Sequence, residues 1–174
     1  MSLLRLLLLL SCGLWCAVVI SPADASGLSI AFQVLKINPP FSGTEVPLFT
    51  AVRSKAEWSA LRSKLVSSHQ RDSAPLDLPS ASEIDFSRYT MVVAALGIRP
   101  NSGYTVLIRD VYDGTSSIGV GVIELMPGPD CATAQELTYP MTIALIPRST
   151  KPVLFNANKA SVDCKPLRYP GGTR

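Results

Sequence analysis

Residues 89–126 constrain the fold more than any other stretch of this chain. From Tyr89 to Ile98 the residues are apolar almost without interruption, the pattern of a central strand buried on both faces. Pro100, Asn101, Ser102 and Gly103 supply turn chemistry, and the strand formers YTVLIRDVY follow from Tyr104 to Tyr112. Asp113-Gly114 is a hairpin signal, because glycine tolerates positive φ and aspartate the left-handed region. Beyond it Ile118, Val120 and Val122 alternate with Ser117, Gly119 and Gly121, so the glycines thin one face, as where another backbone or a partner approaches. The block reads as three consecutive antiparallel strands joined by two turns. It sets the expected class: α+β, a mostly antiparallel β-sheet or sandwich.

The flanking segments fill in that frame. LSIAFQVLKI, from Leu28 to Ile37, reads as a first strand, and 46–52 as a second with Pro47 favouring an edge. Ser54-Lys55-Ala56-Glu57 matches a capping box, in which the serine hydroxyl accepts the third helical N–H and the glutamate reaches back. Trp58, Leu61 and Leu65 follow on one face, so one amphipathic helix is expected from Lys55 to Ser67. The polar segment 67–82, with Pro75 and Pro79, reads as a surface loop. A second long loop spans 127–138. Pro140 and Pro147 bound another strand, Val153 to Phe155 reads as a short last one, and 165–174 as a ragged terminus.

The first 25 residues have a different logic. One positive charge at Arg5 precedes an apolar run from Leu6 to Ile20, and Ala23-Asp24-Ala25 gives an A-x-A site. This is the order of a secretory signal peptide cleaved between Ala25 and Ser26, leaving 26–174 as a single β-rich domain, exported to the periplasm or outside the cell. The apolar run is short for an uncleaved anchor, and Leu10 before Cys12 is too bulky for a lipobox. Export removes Cys12 and Cys16 and leaves Cys131 and Cys164, an even pair that reads as a disulfide in an oxidising compartment. A metal pair is the competing reading, but neither cysteine has a histidine or second cysteine at ligand spacing.

Little in the residues points to chemistry. The formal net charge is +3 and single-sign runs are missing, which argues against nucleic acid as a partner. His69, the one histidine, sits in a polar segment without a fixed partner. No G-x-S-x-G elbow, calcium loop or phosphate loop occurs. Asp110 and Asp113 flank a turn, and Glu124 is an isolated acid expected at a solvent-facing edge position. The expectation is a protein without catalytic residues, cofactor or metal, and with no membrane span in the mature chain.

One resemblance goes further. Ile84-Asp85-Phe86, then Val92-Val93, Gly97, Pro100-x-x-Gly103-Tyr104, the strand from Gly103 to Ile108, Pro140 to Pro147 and Val153-Leu154-Phe155 come in an order that resembles the PrcB family C-terminal domain. The helix with Trp58 and Leu61 also fits, so the resemblance covers roughly 53–155. It implies an exported accessory or protein-binding domain, a subunit of a secreted or periplasmic protease complex, and transfers no active site. The partner is then another protein, and Asn101, Ser102, Gly103 and Tyr104 are the expected contact loop. An alternative is a small secreted protease inhibitor. The turn Asn101-Ser102-Gly103-Tyr104 is similar to the N-x-x-G-Y turn of chagasin-type inhibitors, although one residue shorter and without the companion R-P-W loop.

Overall fold

The computed structural model describes residues 27–37, 43–68 and 76–164. The expected cleavage point at Ala25 and Ser26, the loop at 38–42, His69 and the terminus after Cys164 lie outside the described residues. Along the chain come β1 (Leu28–Ser29), β2 (Gln33–Val34), β3 (Leu48–Val52), α1 (Lys55–Ser68), β4 (Tyr89–Ala95), β5 (Thr105–Asp113), β6 (Ile118–Pro127), β7 (Met141–Pro147) and β8 (Val153–Val162). They make an α+β sandwich of two four-stranded sheets. Sheet A runs β1-β5-β6-β8 and sheet B runs β2-β7-β4-β3. All pairings are antiparallel except β6 with β8.

Sheet B is the middle layer. Met91, Val93 and Ala95 of β4, with Met141, Ile143 and Leu145 of β7, pack with Trp58 and Leu65 of α1. Val92 and Ala94, with Ala144 and Ile146, face the other way, onto Val106, Ile108, Val111, Ile118, Val120 and Val122 of sheet A. A strand covered on both faces favours apolar residues on both, which is why β4 is hydrophobic at every buried position except Thr90, whose hydroxyl accepts from Ser149 N–H at 3.2 Å. The capping box forms as expected. Glu57 N–H donates to Ser54 Oγ at 3.2 Å, and the Glu57 carboxylate accepts from Arg53 N–H at 2.8 Å.

The structure departs from the sequence expectations in several places, each with a local cause. Residues 28–37 are not one strand: β1 pairs with β5 in sheet A, and β2 pairs with β7 in sheet B. Ile30 and Phe32 pack between the sheets, whereas Leu35 and Ile37 pack on the helix side. The shift from even to odd apolar positions marks the crossing. Likewise β4 and β5 form no hairpin, because the link 96–104 carries the chain from sheet B to sheet A. The Asp113–Ile118 hairpin does form, with Gly114 N–H donating to Ser117 O at 2.9 Å, but Gly97 is the one positive-φ glycine among the described residues. A bulge at Arg109 moves the buried positions from Val106 and Ile108 to Val111.

The segment at 76–82 is not a surface loop. Leu76 and Leu78 are buried against α1, and Trp58 Nε1 donates to Pro79 O at 2.9 Å. The last strand is also far longer than three residues, pairing with β6 over ten positions. Its apolar signal stops at Phe155 because Asn156–Val162 extends past the sandwich interior, with every residue exposed.

Candidate protein-interaction surface

Three links converge at one end of the sandwich. The end of β4 lies beside the start of β7, the start of β5 beside the end of β6, and the end of β6 beside the end of β8. The segments 96–104, 128–140 and 163–164 therefore meet, and the Cys131–Cys164 disulfide, with a Cα–Cα distance of 5.0 Å, closes the group.

The four residues expected as a contact loop lie here, all half-buried. Arg99 and Thr138 exchange backbone hydrogen bonds of 2.8 and 3.0 Å. The Asn101 carbonyl accepts from the Thr138 hydroxyl at 2.9 Å, and its side-chain oxygen accepts from Gly103 N–H at 3.0 Å. Ser102 N–H donates to Ala134 O at 3.1 Å while its hydroxyl accepts from Ala134 N–H at 3.0 Å. A Cβ on Gly103 would sit 2.6 Å from Thr133 and 2.7 Å from Pro127, so close packing rather than positive φ excludes a side chain. The Tyr104 ring lies under the Arg99 guanidinium, 5.8 Å from its carbon. The loop is thus held in one shape, with much of its polar capacity spent inside the molecule.

Arg99 is the clamp. Its Nε donates to Glu124 at 2.8 Å, and one terminal nitrogen donates to the Leu96 and Ile98 carbonyls, each at 2.9 Å. This corrects the expectation for Glu124, which is not at a solvent-facing edge. It is buried on an inner strand, with Lys159 Nζ 3.7 Å from its second oxygen. Two cations offset the desolvation of one carboxylate. The pair comes from residues far apart in sequence, which is why periodicity along β6 did not reveal it.

Among the side chains that the pole presents outward are three large apolar ones. Ile98 is 45% exposed, Leu137 60% and Val46 69%. Their segments are joined: Ile98 N–H donates to Glu45 O at 3.0 Å, and the Arg99–Thr138 bridge carries Leu137 alongside. Sequence reasoning missed these three. The available signal was Leu137, a large apolar residue alone in a polar loop.

A second feature lies on the outer face of sheet A. A trough of about 510 Å³ runs over β6, with Tyr112, Gly119 and Leu154 in one row and Asp110, Gly121 and Asn156 in the next. The glycines do thin this face, but they differ. The Asp110 carboxylate folds over Gly121 and occupies the place of a Cβ, whereas nothing but Tyr112 Cβ, at 4.0 Å, comes near Gly119. Asp110 also accepts from Arg109, and that hydrogen bond holds the guanidinium pKa above its ordinary value. Among the described residues no three His, Cys, Asp or Glu side chains gather as a metal site. No described helix is long and apolar enough to cross a membrane.

Fold and site together describe an α+β sandwich with a hydrogen-bonded, loop-built pole and, among the described residues, one sheet face that no other element covers. Residues 90–147 match the family model described as PrcB C-terminal, which takes in nearly all of β4, the clamped pole loop, β5, β6 and β7. The match lies inside the 53–155 span of the resemblance, and α1 and β8 fall outside it. Comparison with curated proteins returns no match, and neither does comparison with solved structures.

Proposed function

We propose that this chain is an exported, non-catalytic accessory domain that binds another protein through the disulfide-closed pole, as a subunit of a secreted or periplasmic protease complex. The match to the PrcB C-terminal family carries the reading, because the matched segment contains both Ile98–Tyr104 and Leu137. The pole supports it physically. Apolar side chains held on a rigid frame lose little conformational freedom on binding. The Cys131–Cys164 bond is consistent with an oxidising compartment.

The test is affinity capture from the exported fraction of the native host. Wild type should retain a protease, Leu137→Asp should lose most of it, and Tyr104→Ala, with an unchanged melting curve, should retain less. Intact mass should show a chain beginning at Ser26, with Cys131 and Cys164 unreactive to thiol reagents. A retained leader, or identical capture by all three proteins, would overturn the reading. Loss of the captured protease's activity on adding wild type would instead favour the inhibitor acting through Asn101, Ser102, Gly103 and Tyr104.

A further inference from the structure

Among the described residues, strand β8 is an edge of sheet A. It is ten residues long and pairs with β6 in unbroken register, so no bulge twists it away. No described strand pairs with its other side. It holds no proline and one charged residue, Lys159, and all of Asn156–Val162 is exposed. Sheet edges are ordinarily blunted by prolines, several charges, bulges or a covering segment, because their free N–H and C=O groups recruit another strand. A β8 edge this long and even is built to be paired.

We infer that the occupant is a second copy of this chain, pairing β8 with β8 in antiparallel register about a two-fold axis at Asn158. The strand's own side chains select this register. A two-fold axis normal to the sheet keeps outer face beside outer face, so opposed residues share parity. An axis at Lys159 sets that ammonium against its copy. An axis at Ala157 puts Phe155 opposite Lys159 and leaves Leu154 opposite Ala160. An axis at Asn158 sets Leu154 opposite Val162 at both ends, Ala157 opposite Lys159, Asn156 opposite Ala160, and Asn158 opposite itself. Leu154 and Val162 are the two large apolar residues of β8 that are exposed, and this register brings them together. The result is one continuous eight-stranded sheet with both troughs on the same side. It depends on neither the protease partner nor the pole.

Sedimentation velocity of residues 26–174, from micromolar to submillimolar concentration, tests it. Wild type should show a reversible monomer–dimer equilibrium. Asn158→Lys and Asn158→Glu, at an exposed position, should each weaken it about fivefold at low salt. A mixture of the two should associate more tightly than either alone, since opposite charges then meet across the axis. Asn158→Cys should oxidise to a covalent dimer, which keeps the test open if a charged variant folds poorly. A wild type that stays monomeric throughout, even one that captures a foreign strand on this edge, overturns the inference. So does a dimer that the charged variants leave unchanged.

Discussion

The two sheets differ in what surrounds them. Sheet B has α1 on one face and sheet A on the other, and its central strands β4 and β7 are buried at nearly every position. Sheet A buries one face only, so β6 alternates buried and half-buried residues and β8 ends in a run of exposed ones. The doubly covered sheet supplies the packing that holds the fold. The singly covered sheet, with the pole at its end, supplies surface. Burial and recognition are thus divided between layers rather than mixed along each strand.

That division can be broken by mutation, most severely through the helix side of sheet B. Trp58 is fully buried and donates to Pro79, so Trp58→Ala should cost about 3–5 kcal/mol in a denaturant titration. Leu154→Ala on the bare face should cost less than about 0.5 kcal/mol. Comparable losses would mean that the two sheets share the load. Next in size is the covalent tie. Replacing Cys131 and Cys164 by serine should lower stability by about 3–4 kcal/mol, since the bond spans 33 positions of sequence. A further effect, smaller than the loss of Trp58 or of the disulfide, has the opposite sign. Gly119→Ala adds a Cβ into open space and should stabilise by about 0.5–1 kcal/mol, read as a higher melting temperature. Gly121→Ala must push the Asp110 carboxylate aside and should not stabilise.

The same division explains what the sequence disclosed. β4 and β7 were legible because burial on both faces leaves a run that is apolar but for Thr90 and Thr142, and α1 because Ser54, Glu57 and Trp58 carry their own signals. Most of β8 was not, because Asn156–Val162 touches no core and so has no apolar rhythm. Sheet membership was hidden too. Pro100–Gly103 has the composition of a tight turn whether the chain returns along its own sheet or crosses to the other. Asn101, Ser102, Gly103 and Tyr104 were locatable as a loop, but their clamping depends on Glu124, Ala134 and Thr138, which arrive from elsewhere. Ile98 and Leu137 became a surface only when the fold left them uncovered.

The position of the disulfide has one more consequence. The stretch between Cys131 and Cys164 contains all of β7, a central strand of sheet B, and all of β8, an edge strand of sheet A. Oxidation therefore threads one strand from each layer onto a single covalent ring. If the packing between the layers melts, those two strands remain leashed to each other, and the leash persists until the disulfide is reduced to two thiols.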